Sequence, residues 1–171
     1  MGFNGGMSQI IVRPAQPAEY RQAGQITVAA YRDSGQLEDD PEYIQTLADA
    51  ASRARDAELL VAVDEENNHV VGTVTFCLPG SRYAEISRPG EGEFRMLAVH
   101  PDFQRRGIGE LLVRAVLARA AELNLSAVVL CTRDILIRPQ RLYTRLGFTR
   151  IPERDWTPVP HIKLLAWRIE L

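Results

Sequence analysis

Six consecutive residues, Gln104-Arg105-Arg106-Gly107-Ile108-Gly109, bring together the parts of an anion site. Gly107 and Gly109 allow backbone to approach a ligand closely and to take positive φ. A helical pattern begins at once, and a helix start leaves N–H groups without partners and carries partial positive charge. Exposed amides and that charge together suit phosphates best, and Arg105 and Arg106 add formal charge at the rim. The stretch lacks the Lys-Ser/Thr end of a Walker loop and the third glycine of the dinucleotide fingerprint. On spacing alone, a glycine turn that only packs a helix on a strand stays open as the alternative.

Other chemistry is constrained by what the chain carries. His69, His100 and His161 show no metal spacing, so no metal is expected. Cys77 and Cys131 lie far apart in apolar stretches and read as reduced core thiols, which implies a cytoplasmic location. The net charge of −2 gives no basic surplus for nucleic acid. No apolar run approaches the roughly 18 residues of a membrane helix, and MGFNGGMSQ is not a signal peptide.

Strands and helices must position the glycine stretch. With 171 residues, 46% apolar and 25% charged, the chain suits one domain with a real core. Residues 1–8 read as a disordered or appended extension, with Met7 the natural start, and 9–171 as the domain. The segment 9–15 is a strand stopped by Pro14, and a helical pattern after Pro17 gathers Ala18, Ala23, Ile26, Ala30 and Tyr31. Pro41 opens a second helix expected to run through Ala51. Segments 58–64 and 70–78 form a hairpin, and a loop over 79–92 of the kind that edges a site leads into the strand GEFRMLAVHP. The next helix reaches about Leu123, its apolar face being Ile108, Leu111, Leu112, Ala115, Val116 and Ala120, with Glu110 and Arg114 paired on the other side. The continuous apolar run SAVVLCT is a strand buried on both faces. A helix from about Pro139 ends at Gly147, IPERDWTPVP is a loop, and the tail alternates as a last strand. The order β-α-α-β-β-β-α-β-α-β-β gives a mixed α/β sheet with helices on its faces.

The segment FRMLAVHPDFQRRGIGELLVRAVLARA resembles the acyl-CoA motif of the GNAT superfamily of N-acyltransferases, whose signature is Gln/Arg-x-x-Gly-x-Gly/Ala. Downstream, RLYTRLGF matches that superfamily's second hallmark, a tyrosine followed by Leu-Gly-Phe. The resemblance extends over nearly the whole chain. It implies a mostly antiparallel sheet with splayed central strands, helices on both faces, and acetyl-CoA as acyl donor. It places the pyrophosphate on Gln104, Arg105, Arg106, Gly107, Ile108, Gly109 and Glu110, and the pantetheine arm along the backbone of Leu97, Ala98 and Val99.

The implied reaction is direct transfer of an acetyl group to a primary amine in a ternary complex. A non-catalytic acyl-CoA-binding sensor or subunit of the same fold is the alternative. Such attack needs a neutral amine and a proton for the leaving thiolate. The family's general-base glutamate maps to Glu93, with Glu91, on the same strand face, as a substitute; its general acid maps to Tyr143. Many members carry an asparagine where this chain has Leu136, and Thr132, Arg133 or Asp134 are candidates to replace it. Tyr31, Asp33, Tyr83, Glu85, Asp155 and Trp156 fall where the family builds its acceptor pocket, for a small-molecule or peptide amine. Homodimers are common in the family, and no segment here marks one.

Overall fold

A computed structural model describes residues 9–37 and 40–171, so the expectation for residues 1–8 lies outside the described residues. In chain order the elements are β1 (Ile10–Pro14), α1 (Tyr20–Asp33), α2 (Pro41–Ala48), α3 (Ala50–Asp56), β2 (Glu58–Asp64), β3 (His69–Cys77), β4 (Glu91–Val99), α4 (Ile108–Glu122), β5 (Ala127–Arg133), α5 (Ile137–Leu146), β6 (Thr149–Arg150), β7 (Trp156–Val159) and β8 (Ile162–Glu170). The strands form one sheet in the order β1-β2-β3-β4-β5-β8-β6, with β7 also on β8. Every pairing is antiparallel except β4 with β5. Helices cover both faces, α1 and α3 over one apolar cluster and α4 and α5 over the other.

Three sequence expectations need correction. The helix read from Pro41 to Ala51 is two helices, because Asp49 leaves helical geometry and its carboxylate accepts from the Ser52 N–H at 3.1 Å, capping a new start. Arg53, fully buried, seals the break by donating to the Leu47 carbonyl at 2.7 Å. On α4 the buried stripe is Ile108, Leu112, Val113, Val116 and Ala120, whereas Leu111 is exposed, since the spacing of four along the stripe turns position 111 to the flank. The IPERDWTPVP stretch contains strand β7; Pro158 fits there because β7 pairs with β8 alone.

What shapes the site is the middle of the sheet. Thr73 faces Ala98 and Thr75 faces Arg95, so β4 spends one residue more than β3 between them. Met96 carries the distortion, with φ of +53°. Such a bulge bends its strand and strengthens local twist. β4 then parts from β5: their pairing covers only Glu91–Glu93 against Ala127–Val129. The central strands are therefore splayed, and α4 and α5 flank the opening.

Candidate active site

The splay opens into a cleft of about 930 Å³. The exposed backbone edge of β4 contributes Leu97, Ala98 and Val99, the glycine loop forms the floor, and α5 with the end of α1 forms the walls. Gly107 is the residue before α4 and sits in the left-handed region at φ of +76°. Its added Cβ would touch nothing within 4 Å, so it is the left-handed φ and not a close contact that calls for glycine here. Arg105 is also left-handed, at +63°. The first backbone bond into α4 runs from the Leu111 N–H to the Gly107 carbonyl at 3.1 Å. The N–H groups of Ile108, Gly109 and Glu110 precede it at the helix start, where an anion can take them. At Gly109 a Cβ would meet Leu142 at an ordinary 3.7 Å, so this position tolerates alanine but not bulk.

Of the donor-site residues read from the sequence, all line this cleft except Arg106. Its guanidinium lies over the Phe103 ring, 4.9 Å from the centroid, which draws it away from the loop's inner surface. Sequence reasoning missed the opposite wall, where Arg138, Arg141 and Arg145 project from α5. Their i, i+3, i+7 spacing was readable as one helix stripe. Among the described residues only Arg145 of the three has a carboxylate partner, Glu110 at 3.7 Å. Leu136, at the family's asparagine position, also lines the cleft and keeps that stretch of wall apolar. The turn before α5 is tied instead by Gln140, whose amide donates to the Asp134 carbonyl at 3.0 Å.

Tyr143 lies just behind this wall. Its ring packs among Phe94, Phe148 and Trp167, and the residue is 4% exposed. Burial pushes its phenol well above the ordinary tyrosine range, so the group stays protonated and able to donate. Tyr31, on the cleft wall, is near enough for its own phenol to be raised further by Tyr143 after burial has acted on it.

The carboxylates divide differently from the sequence reading. Glu93 is fully buried, and its Oε1 accepts from the backbone N–H groups of Glu85, Ile86 and Ser87 at 3.0, 3.0 and 2.9 Å. Its Oε2 shares the Glu85 N–H at 3.1 Å. Glu93 is thereby the anchor of the 85–87 loop, with its proton-accepting oxygens engaged. Glu91 is held in another way: Arg154 grips it with two nitrogens at 2.7 and 3.0 Å, and Arg168 approaches to 3.3 Å. Burial opposes its charge, but these arginines hold its carboxyl below the ordinary range. Glu85 is the carboxylate presented by the anchored loop. Burial raises its carboxyl, against the pull of Arg95, whose Nε is 2.9 Å away.

Other acceptor-side expectations separate as cleanly. Tyr31 and Asp33 line the cleft. Tyr83 is core, packed with Leu47, Cys77 and Met96. Asp155 is occupied by Arg150 and by the Ala166 N–H. Trp156 is partly exposed on β7. Both thiols are free, and burial pushes each up to about 12. Among the described residues there is no cluster of three metal-ligating side chains, and no helix long and apolar enough to cross a membrane.

The family model described as acetyltransferase (GNAT) family matches residues 21–148. An uncharacterized N-acetyltransferase of Schizosaccharomyces pombe is 31% identical over 104 residues, which is 61% of this chain and 59% of that protein. Glucosamine 6-phosphate N-acetyltransferase of the same yeast is 33% identical over 92 residues, 54% of this chain and 78% of that protein. Among solved structures, a GNAT-family acetyltransferase from Staphylococcus aureus superposes with a TM-score of 0.74 at 16% identity, covering 95% of this chain and 99% of that one. A Salmonella typhimurium chain solved with its cofactor acetyl-CoA gives 0.66 at 22% identity, with 96% and 95% covered.

Proposed function

The chain belongs to the GNAT acetyltransferase family, and from that premise we propose that it moves an acetyl group from acetyl-CoA to a primary amine by direct attack. The observation that carries the reading is the single cleft that joins an open β4 edge to the amides at the start of α4. A pantetheine arm fits the first and a pyrophosphate the second. The α5 arginines supply positive charge for the remaining phosphate of a polyanionic donor.

In this mechanism the 85–87 loop presents Glu85 to the incoming ammonium group. Burial moves its carboxyl toward working pH, which favours proton acceptance. The freed nitrogen attacks the thioester carbon, a C–N bond forms, and the C–S bond breaks. Tyr143 gives its proton to the departing sulfur, the new amide nitrogen sheds its second proton to solvent, and Tyr143 takes one back from solvent. One proton, the one passed through Glu85, is thereby released per turnover. Glu93 takes part by holding the loop, a positioning role in place of the base role its strand position suggested.

The acceptor in this reading is a small-molecule or peptide amine, and the relative named for glucosamine 6-phosphate makes phosphorylated amino sugars one class to assay. Two free thiols support a reducing, cytoplasmic setting, with a homodimer as the assembly to look for. The test is a thermal-shift titration with acetyl-CoA, then thiol release across an amine panel. Acetyl-CoA at a hundredfold excess over Kd adds about 2.7 kcal/mol of stability. No shift at millimolar acetyl-CoA removes the donor assignment. A shift without turnover on any amine replaces the enzyme with a sensor of acyl-CoA.

A further inference from the structure

Arg133, the last residue of β5, is the feature that the donor site leaves unexplained. Its Nε and Nη1 are buried and have no hydrogen-bond partner among the described residues. A permanently charged guanidinium with two unpaired buried nitrogens is costly, and native proteins seldom keep one without a use. Its surroundings are those of the acceptor side. Strand alternation puts Arg133 on the same face as Cys131. It faces Leu164 across β8, and Leu164 in turn faces Trp156 on β7, so arginine and indole lie in one row. Tyr43 of α2 is close as well: burial pushes its phenol up, against the pull of Arg95 and Arg133. Two and three residues further on, Ile135 and Leu136 already belong to the donor cleft.

Resting on the acetyl-transfer reading, we infer that the amine substrate carries an oxyanion, a carboxylate or a phosphate, and that Arg133 binds it. Arg133, with two nitrogens short of partners where Arg53 and Arg154 each lack one, is thus matched by an anion the substrate brings. Glu85 then faces the ammonium end while Arg133 holds the opposite end, which fixes the amine's direction toward the thioester. The aromatic groups of Tyr31, Tyr43 and Trp156 flank the body of the molecule.

The experiment pairs anionic amines with neutral counterparts of the same length: α-, β- and γ-amino acids against alkylamines, and aminoalkyl phosphates against amino alcohols. Each is scored twice, by thermal shift of the protein saturated with CoA and by thiol release from acetyl-CoA. The wild type is expected to favour one anionic series by roughly ten- to hundredfold, the range of a hydrogen bond to a charged group. The preferred series tells carboxylate from phosphate. Arg133→Gln should bring that preference close to one while the acetyl-CoA shift persists. Arg133→Lys, which keeps the charge, should retain part of it and serves if the glutamine variant fails to fold. Equal use of neutral and anionic amines, an unchanged preference in Arg133→Gln, or no shift with any compound overturns the inference. Binding of the anionic series without turnover leaves Arg133 in place and removes acetyl transfer; turnover without anionic preference does the reverse.

Discussion

Replacing Glu93 by glutamine separates an anchor from a base. The carboxylate holds three backbone N–H groups at 2.9–3.0 Å inside a fully buried site. A hydrogen bond to a charged acceptor contributes about 1.5–3 kcal/mol and a neutral one about 0.5–1.5, so neutralising the acceptor of three bonds removes roughly 3 kcal/mol. The smaller desolvation cost of the amide returns part of that, leaving about 2–3 kcal/mol. For a chain of this size each kcal/mol moves Tm by roughly 2–4 °C, so a fall of about 5–10 °C is expected. The assay is a melting curve beside a pH–rate profile of kcat/KM with a saturating donor. An anchor loses Tm and overall rate while the acidic limb keeps its position, because Glu85 still supplies it. A Tm within about 1 °C of wild type, with the acidic limb gone, would refute this reasoning and make Glu93 the base.

Glu85→Gln is the complement: burial raises this carboxyl, so the wild-type rate should climb with pH through a value above the ordinary carboxylate range, and the variant should lose that limb. Tyr143→Phe should lower kcat by about a hundredfold, the lower end for a lost general acid, with acetyl-CoA affinity by thermal shift retained. Glu91→Gln should cost about 3 kcal/mol at neutral pH by leaving Arg154 without its counter-charge. Because Glu91's folded carboxyl is depressed, its contribution is complete above the ordinary carboxylate range and is lost as pH falls through the depressed value. Melting curves of wild type and variant should therefore converge in acid. Gly24→Ala should destabilise by about 2 kcal/mol, since the new Cβ would lie 2.0 Å from the Ala48 carbonyl oxygen, outweighing about 1 kcal/mol of gained helix propensity.

The cleft's floor and strand edge were readable because they are local: a strand, a glycine loop and a helix start, contiguous from Leu97 to Glu110. The aliphatic strands and the αL stop of α5 at Gly147, with φ of +100°, were readable for the same reason. The Asp49 break was written in the sequence as an acidic cap three residues before Ser52, and helical periodicity on both sides hid it. The roles of Glu91 and Glu93 were not readable. One depends on Arg154 and Arg168 from the far end of the chain, the other on three loop amides that only folding brings together. Met96 at positive φ was equally hidden, for nothing in FRMLAV distinguishes a bulged strand from a regular one. Arg133 looked like a substitute for a missing asparagine; its unpaired state appears only once β5, β7 and β8 lie side by side.

The parting of β4 from β5 has a mechanical side. Within the sheet only three residue pairs join the half containing β1–β4 to the half containing β5 and β8; side chains add to them, Phe94 packing on Tyr143 and Phe148 and Glu91 being held by Arg154 and Arg168. The ladders on either side are longer, with five pairs for β1 with β2 and seven for β5 with β8; only the edge strands β6 and β7 pair as briefly. The backbone ladder is thus interrupted along a seam through the centre of the sheet, where a conventional sheet is continuous. A molecule lying in that seam and taking up the free amides acts as a rivet between two half-domains. Amide hydrogen exchange along β4 and β5 should slow as one cooperative unit when donor is added, while the outer hairpin keeps its own rate. Substrate concentration then governs how firmly the enzyme holds together as well as how fast it works.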